Sequence, residues 1–336
     1  MTIDVSASAV RAKAASAEAP CTSALAEAII STIVYNDMFG YPPDAASVHR
    51  YLHGARATEA EVREELARLE ARGTLVADGG RYALPGREHF FTQRRQRADV
   101  ASELWRRARW FAALFASLPT VRMVAVTGSL AVDNTEAGAD IDYMLVVDDD
   151  MLWRTRAVAR AIQFLEHKFR GTLCVNFLVT TKAMASDRQS LYIAHELTQM
   201  VPLYGLETYD ALRAANPWIG DFLPNAPEAP RTVDPVKGSA LLRAIGRPFA
   251  YSRLGDWLER RVRDYKLHVY NETDFLPGRY TPFTAQATGH CEDVRERVEA
   301  LHRSRVDREC REVPMSVLFG QAYHLRFDPK LWREMR

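Results

Sequence analysis

The chain has 336 residues, 47% hydrophobic and 26% charged, the balance of a globular protein long enough for two or three domains. A formal net charge of +1 gives no global field to draw it to nucleic acid or a membrane, so any anion site must be local. Cys21, Cys174, Cys291 and Cys310 form no Cys-x-x-Cys pair, which points to a reducing compartment and against a disulfide scaffold or a structural zinc site.

Residues 1–20 are Ala/Ser-rich, have no apolar core of signal-peptide length, and read as a disordered leader. No apolar run approaches the roughly 18 residues needed to cross a bilayer, so the expected location is cytoplasmic, with no membrane partner.

Residues 21–86 read as a helical unit closed by a small β-ribbon. Leu25, Ile29 and Ile33 give one apolar helix face, and Tyr41-Pro42-Pro43-Asp44 ends that helix and caps a second carrying Val48, Tyr51 and Leu52. Thr58-Glu59-Ala60-Glu61 fits a capping box for a third helix, which buries Val62, Leu66 and Leu69 and stops at Gly73. Thr74–Val76, a turn at Asp78-Gly79-Gly80 and Arg81–Leu84 form a hairpin. Three helices then a hairpin resembles a winged helix-turn-helix. The third helix carries Glu59, Glu61, Glu64, Glu65 and Glu70 against Arg63, Arg68 and Arg72, a poor face for a phosphate backbone, so the unit is expected to contact protein rather than DNA.

Residues 87–119 read as a linking helix with an apolar face of Trp105, Trp110, Phe111, Leu114 and Phe115 and a basic stretch from Arg94 to Arg109. Residues 120–213 follow as a core of alternating strands and helices. The apolar strand Val124-Ala125-Val126-Thr127 runs into Gly128-Ser129, ten residues intervene, and Asp140-Ile141-Asp142 opens a second apolar strand through Val147. Side chains in a strand alternate faces, so Asp140 and Asp142 point the same way. Two hard carboxylates this close suit Mg²⁺, which binds through a few carboxylates plus substrate phosphates. Gly128 permits close approach of backbone to a ligand, and Ser129 offers a hydroxyl at an expected helix start.

Gly-Ser, a spacer and Asp-x-Asp between apolar strands resembles the signature of the DNA polymerase β-type nucleotidyltransferase superfamily, over roughly residues 105–205. The resemblance implies an α/β (α+β) fold with a small mixed sheet, a triphosphate held at Gly128 and Ser129, and Mg²⁺ (or Mn²⁺) held by Asp140 and Asp142. That superfamily usually supplies a third carboxylate from the next strand. Here Thr172–Val179 puts Asn176 in that place, and an amide takes no proton near neutral pH. Either the acceptor needs no base, or Glu196 or His195 of Ala194-His195-Glu196-Leu197 serves, or the site binds nucleotide without turning it over. His195 taken alone reads as a core histidine, and Leu191–Gly205 as one helix.

The helix over 151–169 is expected to turn Leu152, Val158, Ile162 and Leu165 inward and Arg154, Arg156 and Arg160 outward. Residues 214–239 are proline-punctuated and read as a connector. Residues 240–336 begin as a helical region with Leu241, Leu242, Ile245, Leu254, Trp257 and a basic cluster Arg260, Arg261, Arg263 and Lys266, and carry little pattern beyond residue 271. The expected activity is transfer of a nucleoside monophosphate from an NTP to a small-molecule or protein acceptor, Asn176 standing beside the catalytic pair. A non-catalytic nucleotide sensor is the alternative and a winged-helix DNA-binding regulator a weaker one.

Overall fold

The computed structural model describes residues 23–168, 173–186, 189–227, 229–230, 233–272, 286–288 and 300–306. The expected leader, Cys21, Cys291, Cys310 and the side chain of Lys266 lie outside the described residues. Within them the chain is an α+β protein with small mixed sheets, as the sequence suggested.

Helices α1 (Ala24–Asp37), α2 (Ala45–Arg50) and α3 (Glu59–Ala71) precede the hairpin β1 (Val76–Asp78) and β2 (Arg81–Ala83). Each helix starts where a side chain accepts an otherwise orphaned amide: Ser23 caps α1, Asp44 caps α2, and Thr58 with Glu61 completes the capping box of α3. Gly79 and Gly80 both have positive φ (58° and 76°), the conformation a two-residue hairpin turn requires. Ile29, Ile33, Val48, Leu52, Val62, Leu66 and Leu69 form this unit's own core. On α3, Glu59 pairs with Arg63, and Glu64 and Glu65 with Arg68, so the acidic face neutralises itself at helical spacing.

Helix α4 (His89–Ala116) leads into β3 (Val121–Thr127), α5 (Gly128–Ala131), β4 (Ile141–Val147), α6 (Leu152–His167) and β5 (Leu173–Thr180). Then come α7 (Leu191–Gln199), β6 (Val201–Tyr204), α8 (Leu206–Ala214), α9 (Ile219–Phe222), α10 (Ala240–Ala250), α11 (Arg253–Glu272) and β7 (Gln286–Thr288). The five-stranded sheet runs β6-β3-β4-β5-β7, with β4 and β5 parallel and every other pair antiparallel. Alternation along β4 sorts its two faces. Ile141, Tyr143, Leu145 and Val147 pack with α4 and α6, whereas Met144 and Val146 pack with α7, α8 and α9. Asp142 belongs to the second set by the same alternation.

Several expectations are corrected. The helix read over Leu191–Gly205 ends at Gln199, and residues 201–204 are strand β6. Pro202 cannot continue a helix, and it is tolerated in β6 because that strand lies at the sheet edge. The proline-punctuated connector is well packed: Trp218, Ile219, Leu223 and Ala226 join the α7-side core, and the Val236 amide donates to the Leu203 carbonyl at 2.8 Å. Arg154, expected in solvent, is buried, donating to Glu259, Asp256 and the Ala250 carbonyl where α11 docks on α6. Val158 and Leu165, expected inward, are exposed. Helix α10 is likewise turned over from its apparent polarity: Arg243 donates to the Ala116 carbonyl and the Tyr204 hydroxyl, while Leu241, Leu242 and Ile245 are exposed.

Candidate active site

Antiparallel pairing sets Thr127 directly opposite Asp142, so the end of β3 and the start of β4 bring the Gly-Ser turn against the aspartate pair. The contact is close. A Cβ added at Gly128 would lie 2.7 Å from Asp142 Oδ2, and Gly128 has φ +66°, so glycine is required there on two grounds. Helix α5 begins at that glycine and its first turn receives no side-chain cap. The Ser129 hydroxyl hydrogen-bonds Thr135 at 2.6 Å, which folds the start of the spacer back on the turn.

The rest of the spacer is clamped from outside. Arg94 donates to the carbonyls of Val132 and Asp133, Trp105 Nε1 donates to Asp133 Oδ1 at 2.6 Å, and Asn134 donates to the Phe39 carbonyl of the N-terminal unit at 3.0 Å. Arg97 adds a bond to Glu136. Two arginines of the basic stretch on α4 thus hold the loop that shapes the site.

Beside Asp142 on β5 stands Cys174, its register partner. The register then slips between Tyr143/Val175 and Met144/Phe177, leaving Asn176 as a bulged residue. Phe177 and Val179 face the α7-side core and Leu178 the other, so the bulge lets Asn176 reach the carboxylates without turning the strand's apolar set inside out. Asn176 is buried and, with Cys174, hydrogen-bonds the Asp142 carboxylate. The Cys174 thiol also donates to Asn176 Oδ1 at 3.0 Å.

Helix α7 supplies what the strands lack. It packs against α5, and Ala194 and Leu197 sit in the core beneath it. Burial first, then the neighbouring charges of Asp140 and Glu196, push the Asp142 carboxyl up to about 8, against the hydrogen bonds from Cys174 and Asn176. Burial pushes Glu196 up to about 7. Of the adjacent pair His195 and Glu196, Glu196 faces the aspartates. His195 is turned toward the N-terminal unit, stacked on Tyr35 with ring centroids 4.0 Å apart.

Among the described residues no three His, Cys, Asp or Glu side chains converge into a cage for a metal ion. The donors at the aspartate pair still fit a cation that completes its shell with substrate oxygens and water. The buried Thr127 Oγ1, on the face of Asp142, has no hydrogen-bond partner. Leaving a buried hydroxyl unpaired costs about 1–3 kcal/mol, and an ordered water or ligand oxygen beside the carboxylates removes that cost. An apolar groove of about 460 Å³ between α4 and α6, lined by Trp110, Phe111, Leu114, Ile162 and Leu165, borders the opposite face of the sheet and is separate from this centre.

Sequence reasoning placed Gly128, Ser129, Asp140, Asp142 and Asn176 at one end of the sheet, and the structure brings Gly128, Asp140, Asp142 and Asn176 together there. Thr127 was missed, although its position immediately before Gly128 in a strand opposite Asp142 was a usable signal. No helix among the described residues is long and apolar enough to cross a membrane. Comparison with family models, curated proteins and solved structures finds no match to this chain.

Proposed function

We propose that the chain is a nucleotidyltransferase of the polymerase β type, acting on an NTP and a small-molecule or protein acceptor. The observation that carries this reading is the close apposition of Gly128 to the Asp142 carboxylate, which sets the start of α5, free of any side-chain cap, beside the aspartate pair. Asp140 and Asp142 would hold Mg²⁺ or Mn²⁺, which neutralises the triphosphate and favours the ionised carboxylates. Backbone at Gly128 and Ser129 orients the β- and γ-phosphates. An acceptor hydroxyl or amine attacks the α-phosphorus, the bond to the bridging oxygen breaks, and pyrophosphate leaves. Glu196 takes the acceptor's proton. An acid held near 7 serves as a base close to neutral pH, which Asn176 cannot do. Asn176 instead orients Asp142.

Two features weigh against a polymerase on long nucleic acid: the +1 net charge and the internally paired charges of α3. The non-catalytic sensor remains the second reading, favoured by the absence of a carboxylate at position 176. Titration calorimetry with each NTP and Mg²⁺ tests the site. Binding should require metal and fall by about 10²–10³ in Asp140→Asn, with melting temperature retained. Undiminished binding in that variant would sink the assignment. Pyrophosphate release across an acceptor screen separates transferase from sensor.

A further inference from the structure

On the side of α7 away from the aspartates, four segments distant in sequence meet in one buried hydrogen-bonded chain. Gln199 Nε2 lies 3.1 Å from His195 Nδ1, and His195 Nε2 lies 3.1 Å from His53 Nε2. His53 Nδ1 lies 2.8 Å from the Ser31 hydroxyl, and His302 Nε2 reaches both that hydroxyl (3.2 Å) and the Ser31 carbonyl (3.0 Å). The rings are fixed as well as bonded: Tyr35 stacks on His195, and His53 meets His195 and His302 edge-on at 5.3 Å.

The bonding has a direction. With Gln199 donating through its amide nitrogen, His195 must accept at Nδ1 and so carries its proton on Nε2. It then donates to His53 Nε2, and His53, protonated on Nδ1, donates to Ser31. A second proton on either ring sets donor against donor, and no carboxylate is among the groups that shift these rings. The chain is complete as neutral imidazoles and needs no further ligand.

From these contacts we infer that His195 is a positioning residue: through the His53–His195 bond the N-terminal helical unit holds α7 so that Glu196 faces Asp142. The inference rests on the nucleotidyltransferase reading and alters one part of it. The N-terminal unit is then a working component of the transfer centre and not only a docking module. Three other contacts fasten the same unit to the core: Gly54 to the Phe222 carbonyl (2.8 Å), Asn225 to the His49 carbonyl (3.0 Å) and Asn134 to the Phe39 carbonyl. Of these four hydrogen-bonded links, the histidine bond alone bears on the helix that carries Glu196, where Tyr35 and Tyr51 also pack on the His195 ring.

The test uses the full chain labelled with ¹⁵N-histidine, and the variants His53→Phe, His195→Phe, Ser31→Ala and His195→Gln. Long-range ¹H–¹⁵N spectra at neutral pH should show His195 as the Nε2–H tautomer and His53 as the Nδ1–H tautomer. The reverse tautomers, or protonated rings, overturn the tether. Pyrophosphate release from Mg²⁺·ATP or the other NTPs should fall on the order of 10–100-fold in both phenylalanine variants, the range expected when a catalytic group moves by about 1 Å. Binding of the same Mg²⁺·NTP should be unchanged, Ser31→Ala should fall between, and His195→Gln, which can still donate to His53, should recover most of the loss. Release unaffected in His53→Phe and His195→Phe, or release and binding lost together with the melting transition, overturns the positioning role. Wild-type protein that binds Mg²⁺·NTP and releases no pyrophosphate refutes the transfer reading and with it the catalytic role of the tether. The tautomer spectra do not depend on that outcome.

Discussion

Helix α7 has a buried polar cluster on each side, and the two differ in what they lack. Toward the sheet, Asp142 is an acid pushed up by burial and then by the charges of Asp140 and Glu196, and Glu196 one pushed up by burial. Toward the N-terminal unit, His195 and His53 are bases pushed down by burial, His195 to about 3. Burial favours the uncharged form in both, so without a ligand both clusters tend to neutrality. The histidines have matching donors and acceptors and are satisfied as they stand. The acids are crowded carboxyl groups beside an orphaned Thr127 hydroxyl, and a cation would favour their ionised form. Side by side, the clusters separate a group of ionisable residues whose hydrogen bonds are complete from one that, on the proposed function, is completed by a ligand.

The largest way to break the acid side short of removing an aspartate is Gly128→Ala. The added methyl would stand 2.7 Å from Asp142 Oδ2 in a backbone region that costs a non-glycine residue about 1–2 kcal/mol. Mg²⁺·NTP affinity should fall roughly 10–100-fold, with a lower melting temperature, read by calorimetry on the same sample. Unaltered affinity would remove the Gly-Ser turn from the site.

The pH dependence of stability should pull the two clusters apart. For Asp142 (3.8 to about 8) and Glu196 (4.5 to about 7) the folded values are raised, so their stabilisation is present near pH 4 and lost as pH rises toward 8. For His195 (6.5 to about 3) the folded value is lowered, so its stabilisation is present above pH 6.5 and lost as pH falls toward 3. Between pH 6.5 and 8 only the acids act, and the metal-free melting temperature should decline there. Metal binding releases protons from such ligands, so Mg²⁺·NTP should raise the melting temperature more at pH 8 than at pH 6. Equal increments at the two pH values would show that the acids are not the ligands.

Asn176→Asp sharpens the comparison from inside. A third carboxylate at the bulge should strengthen metal binding several-fold while lowering metal-free stability at pH 8 by about 1–3 kcal/mol, since an Asp142 hydrogen-bond donor becomes a like charge. Denaturant titration with and without Mg²⁺ reads both. The smallest effect belongs to the solvent face of α3. Arg63→Ala removes an exposed pair with Glu59 and should cost no more than about 0.5 kcal/mol, leaving nucleotide binding untouched.

Which parts of this were legible in the sequence follows from how local each signal is. The Gly-Ser turn and Asp-x-Asp pair sit at the facing ends of adjacent strands, Gly128 just after β3 and Asp140 just before β4, and a spacing of two in extended chain places both aspartates on one face. The capping box and hairpin of the N-terminal unit are equally local. The strand β6 was hidden because the apolar run through Leu203 fits a helix as well as a strand until Pro202 is weighed. Arg154 was misread because its partners, Asp256 and Glu259, arrive from a helix a hundred residues onward.

His195 and Glu196 make the division plain. They are neighbours on one helix, so their side chains leave it about 100° apart, and the sequence offered both as candidate bases with no means of choosing. Composition, spacing and alternation determined the mixed α/β character, the turn and the aspartate pair, because each depends on residues a few positions apart; Asn176 was picked out only by the resemblance to the nucleotidyltransferase superfamily. The tertiary structure decided which side of α7 meets the aspartates and which meets Ser31, His53 and His302. That choice depends on what packs against each face of the helix, and those partners are spread over more than 270 residues of chain.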